Sequence, residues 1–96
     1  MVEVIWTQNA TEEIVNIAEY LEPHSKYYAE SIVKKLYSKV GILRQHPKIG
    51  RIIPEMQDEI YRELIEGNYR IMYEILDDEI ILIQRVIHSS RFFDNL

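Results

Sequence analysis

Arg70, His88 and Arg91 are the residues of this chain whose types could do chemistry together. Arg70 lies in the run Tyr69-Arg70-Ile71-Met72-Tyr73-Glu74-Ile75, and His88 closes the run Ile80 to His88 just before Ser89-Ser90-Arg91. Both runs read as strands, and as neighbours they would set two guanidinium groups and an imidazole near one edge of a small sheet. Such a trio can grip a phosphodiester or cleave it. Metal-free attack by a 2′-hydroxyl needs a base for its proton, cations around the crowded phosphate and an acid for the departing oxygen. The competing roles are structural: His88 can cap its strand by bonding backbone, and Arg70 can pair with Glu63 or Glu74.

Strand register decides whether Arg70 and His88 act together. A two-residue turn at Asp77-Asp78 pairs Leu76 with Glu79, sets Arg70 opposite Arg85 and sends His88 to the other face. A three-residue loop from Asp77 to Glu79 sets Arg70 opposite Val86 and brings His88 diagonally beside it; a bulge near the strand end would do likewise. Both registers are open at the level of sequence.

The elements that must position these groups follow from periodicity and punctuation. Val2 to Trp6 suits a buried strand, after which Thr7 or Asn9 can cap a helix with Glu12 and Glu13 in its first turn. Ala10, Ile14, Ile17, Ala18 and Leu21 make one helical stripe, stopped by Pro23. Ser25 can cap a second helix with the stripe Ala29, Ile32, Val33, Leu36, Val40 and Leu43, closing near His46-Pro47, so the two form an antiparallel hairpin. Pro47, Gly50 and Pro54 mark a loop from Lys48 to Asp58. Strands follow from Ile60 to Ile65, across the Gly67-Asn68 turn to Tyr69, and from Ile80. The order β-α-α-β-β-β predicts a two-layer α+β domain over residues 1–96, its N-terminal strand and helical hairpin packed on a mostly antiparallel sheet. The Ile80 strand is apolar on both faces, which suggests a central position covered by the helices and Phe92-Phe93, or by a partner chain.

Composition narrows the functional classes. A chain of 96 residues with 47% hydrophobic residues has material for one core. The absence of cysteine excludes disulfides and thiolate metal sites and suits a reducing cytoplasm. Met1 to Trp6 lacks the features of a secretion signal, and no segment is long enough to span a bilayer. A net charge of −5 argues against binding duplex nucleic acid by diffuse attraction. Beyond Lys48 every base is an arginine (Arg51, Arg62, Arg70, Arg85 and Arg91), and arginine suits directed contact with carboxylate or phosphate. The histidines His24, His46 and His88 have no ligand spacing, and the glycines Gly41, Gly50 and Gly67 are isolated, so no metal, cofactor or phosphate-cradling loop is expected. Ser89-Ser90 reads as a turn. The tyrosines read as borders of the core, and Tyr69 beside Arg70 has base stacking as its alternative.

Several runs together resemble the RelE/ParE toxin superfamily: His46-Pro47-Lys48-Ile49-Gly50-Arg51-Ile52-Ile53-Pro54-Glu55, Tyr61-Arg62-Glu63-Leu64, Asn68-Tyr69-Arg70-Ile71-Met72-Tyr73 and Val86-Ile87-His88-Ser89-Ser90-Arg91. Trp6-Thr7 with Ala10, Ile14, Ile17 and Tyr20 fits as well, so the resemblance covers nearly the whole chain. Gly50-Arg51, Pro54-Glu55 and the His88 to Arg91 ending look most like the ParE branch. The resemblance implies a cytoplasmic toxin of a type II toxin-antitoxin pair, in hetero-oligomeric complex with a small antitoxin. Its target would be DNA gyrase for a ParE-like member, or messenger RNA on the ribosome, cut without metal, for a RelE-like one. A third implied role is an attenuated toxin acting mainly as co-repressor with its antitoxin. Under the nuclease reading the family positions make Arg70 a phosphate-stabilising cation, His88 an acid, Arg62 or Arg91 a further cation, and Glu55 the loop carboxylate that could serve as base. The sequence lacks the lysine cluster that RelE itself uses, and an acidic chain suits ribosomal phosphate poorly, which favours the gyrase reading.

Overall fold

A computed structural model describes residues 1–90. Strand β1 (Glu3–Trp6) leads into helix α1 (Gln8–Leu21), which pairs with α2 (Lys26–Gly41) as an antiparallel hairpin. Thr7 is the cap of α1: its hydroxyl accepts from Ala10 N at 3.2 Å while donating to the Ile83 carbonyl at 2.8 Å. One side chain therefore starts the helix and ties it to the sheet. Ser25 caps α2 by accepting from Tyr28 N at 3.1 Å. The second helix ends sooner than its apolar stripe suggests, because Ile42–Arg44 tightens into a 3₁₀ turn that still buries Leu43. No helix among the described residues is long and apolar enough to cross a membrane.

The remaining strands are β2 (Arg51–Ile52), β3 (Tyr61–Glu66), β4 (Tyr69–Ile75) and β5 (Ile80–His88). Their order in the sheet is β1-β5-β4-β3-β2, antiparallel throughout except for β1 beside β5. The expected two-layer α+β architecture and element order are present, with one addition: two residues of the expected loop pair with β3 as β2. So short a strand carries no periodicity. The Ile80 strand, expected to be central, is interior, flanked by β1 and β4, while β4 is the middle strand of the five. Its helix-side cover is the hairpin; Phe92-Phe93, expected to help, lie outside the described residues.

The main core sits between hairpin and sheet, where Ala10, Ile14, Leu36, Val40 and Leu43 meet Ile71, Tyr73, Ile81, Ile83 and Val86. On the far face Ile53, Met72 and Ile87 form a smaller buried cluster, against which Met56 and Tyr61 pack. Gly50 lets the loop before β2 lock onto the main core. Tyr73 is fully buried, donates its hydroxyl proton to the Pro47 carbonyl at 2.8 Å and accepts from Gly50 N at 3.0 Å. A Cβ on Gly50 would lie 2.6 Å from the Glu63 carbonyl oxygen and 2.7 Å from the Tyr73 hydroxyl, so the backbone reaches this phenol only as glycine. Burial also pushes the Tyr73 phenol above its ordinary pKa. Tyr73→Phe should strip partners from both backbone groups and cost about 1–3 kcal/mol, read as a lower urea midpoint at unchanged slope.

Candidate functional site

Glu63, in the middle of β3, is 1% exposed, and a carboxylate so placed must find cations for its oxygens. Its Oε2 accepts from Arg51 Nε and its Oε1 from Arg70 Nε, each at 2.6 Å. Arg70, itself 7% exposed, turns its other edge to the loop before β3. There Nη1 donates to Glu55 Oε2 at 2.9 Å and Nη2 to Glu55 Oε1 at 2.8 Å. The result is an alternating chain, Arg51–Glu63–Arg70–Glu55, in which charges cancel and the planar fork of Arg70 meets a carboxylate in two parallel bonds. The Arg70 hydrogen bonds hold the Glu55 carboxyl below its ordinary value of 4.5. Glu55 in turn, more than Glu63, raises the already high pKa of Arg70.

His88 is on the other side of the sheet. The β4–β5 loop is the three-residue alternative, with Leu76 N bonded to the Ile80 carbonyl and Asp77 Oδ1 accepting from Glu79 N and Ile80 N. Further along, the register jumps between Met72 and Tyr73, leaving Gln84 of β5 without a partner residue on β4. Either shift alone would bring Arg70 and His88 to one face, but both occur. Arg70 therefore pairs with Ile87 on the far face and His88 with Tyr69 on the helix face. The bulge has an anchor in Glu13 of α1, which accepts from Val86 N at 2.9 Å and from Arg85 Nη2 at 2.9 Å.

The sequence candidates thus separate. Arg70 and Glu55 come together, as partners. Arg62 is bound to loop carbonyls, with Nε on Glu59 O at 2.9 Å and Nη1 on Gly50 O and Lys48 O at 3.0 and 3.2 Å. His88 accepts from Ser90 N through Nδ1 at 3.2 Å, the backbone bond foreseen as its structural alternative, and meets Tyr69 edge-on at 5.6 Å. Arg91 lies outside the described residues. Sequence reasoning did not reach Arg51 as the second cation on Glu63, nor the link from Glu13 to the bulge. The available signals were a charged residue in the middle of a strand and the polar pair Gln84-Arg85 interrupting an apolar one.

His88 instead borders an open groove of about 820 Å³ between α1, the start of α2 and the β4–β5 ends. Tyr20, Tyr28, Tyr69, Asn16 and Asn68 also line it. Burial, then the nearby Tyr28 and Tyr20 phenols, push the Tyr69 hydroxyl above its ordinary pKa. No lysine or arginine is among the described residues that line this groove.

The described residues thus form a mostly antiparallel sheet with a helical hairpin on one face and, on the other, an arginine neutralised by two carboxylates. A family model for the ParE toxin of the type II toxin-antitoxin system parDE matches residues 4–93, and the chain belongs to that family. Toxin RelE2 of Caulobacter vibrioides is 25% identical over 91 residues, which cover 95% of this chain and 99% of that protein. A chain from the chromosomal ParDE TA system of P. aeruginosa shares the fold, with a TM-score of 0.75 at 21% identity over 92% of this chain and 96% of that one. Membership of a toxin-antitoxin family implies an antitoxin as partner.

Two outcomes test the ionic chain. Arg70→Met should cost about 3–5 kcal/mol, because Glu63 keeps its charge with one cation fewer; adding Glu63→Gln should recover much of the loss in chemical denaturation. The Glu55 pKa is lowered in the folded state, so its stabilisation is present above 4.5 and lost as pH falls through the folded value. Glu55→Gln should therefore be less stable at pH 7 by about 1–3 kcal/mol, with the gap to the parent closing below pH 4.5.

Proposed function

We propose that this chain is the growth-inhibiting toxin of its pair and that it acts by binding DNA gyrase in the ParE manner, not by cutting messenger RNA. The observation that carries this reading is the engagement of Arg70 by Glu55 and Glu63. A guanidinium neutralised by two carboxylates has little field left for a phosphate, and the imidazole that would complete the chemistry faces the opposite way. The net charge of −5 also opposes the ribosome's phosphate surface. The groove favours a protein target: tyrosine, the main aromatic of its walls, is enriched at protein hot spots, and Tyr20 is 75% exposed. Gyrase would be met in the cytoplasm, and the antitoxin would neutralise the toxin by forming a hetero-oligomer with it.

Induction of the chain alone in a bacterial host, with transcript ends and DNA damage signalling followed in one culture, tests this. The expected outcome is filamentous growth and a damage response, with messages intact in the parent and in His88→Ala alike, and a weaker damage response in the double variant Tyr20→Ala, Tyr28→Ala. New cuts within translated messages, lost in His88→Ala, would replace the proposal with a ribosome-dependent nuclease. Unimpaired growth with neither signal would replace it with an attenuated co-repressor.

A further inference from the structure

We propose that the cleft where the end of α2 meets β3 docks an acidic segment of a partner protein, one that carries carboxylates around an apolar face. This surface is not the tyrosine groove, and the inference does not rest on the identity of the toxin's target. The cleft, of about 290 Å³, takes Lys39 and Ile42 from the helical side, Ile49 and Arg51 from the loop and β2, and Leu64 and Ile65 from β3. None of these residues lines the groove beside His88. Helix α2 reaches both surfaces, with Tyr28 near its start on the groove and Lys39 near its end on the cleft.

The net charge conceals a division along the chain. No Asp or Glu occurs between Glu30 and Glu55, a stretch that holds Lys34, Lys35, Lys39, Arg44, Lys48 and Arg51. All 16 acidic residues lie outside it, so a chain of net charge −5 carries one strongly basic segment. Lys39 of this segment is half-buried and its other bases are exposed. Glu63, the one carboxylate at the cleft, is buried and already bonded to Arg51 and Arg70. Arg51 gives Glu63 its Nε alone; among the described residues its Nη nitrogens have no acceptor, and its side chain is 60% exposed. The charge that the cleft shows to solvent is therefore positive, and it draws carboxylates.

The apolar side chains decide between a protein and a nucleic acid. Ile42, Ile49 and Ile65 all line the cleft and are all exposed. Isoleucines with cations at their border match the apolar centre and polar rim of a protein interface, whereas a phosphodiester backbone would leave them in water. A duplex would also set its charge against the acidic remainder of the chain, while a short acidic segment meets the basic stretch alone. The sheet edge adds a backbone contact. Strand β2 pairs with β3 only at Arg62 and Glu63, so no strand covers the outer edge of β3 from Leu64 onward. Ile53 N bonds to the Tyr61 carbonyl, which means that Tyr61, Glu63 and, by alternation, Ile65 turn their backbone groups to that side. The Ile65 edge thus offers backbone bonds to an incoming segment.

Selection from a displayed library of random peptides on the full chain, followed by affinity measurement of the enriched peptides, tests the proposal. These peptides should combine Asp or Glu with apolar residues. Their binding should weaken with added salt, in Ile49→Ser, and at least about tenfold in Lys39→Glu. Lys34→Glu makes the same change of charge outside the cleft and should weaken binding by less than about threefold. Tyr20→Ala with Tyr28→Ala should leave binding unchanged, so this surface and the gyrase reading can fail separately. Lys39→Gln serves if Lys39→Glu does not fold, as judged by thermal melting. The proposal is overturned if the peptides are not acidic, if Lys34→Glu weakens binding as much as Lys39→Glu, or if binding follows the tyrosines. Lys39-dependent binding of a random-sequence DNA duplex in place of the peptides would assign the cleft to nucleic acid. Self-association in sedimentation, lost in Lys39→Glu, would assign it to a second copy of the chain; either result also overturns the proposal.

Discussion

The rest of the far face depends on the burial of the Glu63 carboxylate. A charge removed from water in the middle of a strand must be met at each oxygen, and the sheet does this with an arginine from β2 on one side and from β4 on the other. That requirement explains features that otherwise look unrelated. It gives the two-residue β2 a reason to pair, since Arg51 lies directly opposite Glu63. It also fixes Arg70 along one edge, which leaves the fork directed at the loop and gives Glu55 something to hold. A hydrophobic residue at position 63 would serve packing as well or better, so the ionic chain is best understood as setting which loop lies where.

The helix side relies on polar groups that each satisfy two elements at once. Thr7 caps α1 and binds β5, Glu13 accepts from both a side chain and the backbone at the bulge, and Tyr73 ties the loop at Pro47 and Gly50 to the core. Each is a hydrogen-bonding group whose loss would leave a buried or half-buried partner unpaired. Glu13 holds the bulge in β5, and the bulge determines which side chains beyond it share a face. The two faces consequently differ in kind: one carries a closed, internally neutral arginine, and the other an open groove walled by tyrosines and bordered by His88.

This division bears on how one scaffold can serve different chemistries. A sheet position occupied by arginine does not define an active site by itself, because its partners decide whether the charge is available. Here the carboxylate that a nuclease reading would use as a base is the group that occupies the cation. Bonded to each other, the two groups neutralise one another and join the loop to the sheet.

Residue pattern alone determined the element order, the helical hairpin and its Ser25 cap, the two-layer α+β architecture and the interior place of the Ile80 strand, because hydrophobic periodicity and turn residues are local signals. It narrowed the first cap to Thr7 or Asn9, and named Glu63 among the partners of Arg70. Tertiary structure alone decided the face of His88. A three-residue loop and a bulge each shift the register by one, and together they restore the separation that either would have removed. It likewise decided that Glu55 and Arg70 meet across fifteen positions of sequence, and that Arg51 completes the cover of Glu63. Register and long-range ion pairing depend on how strands from distant parts of the chain align, and no local pattern carries that information.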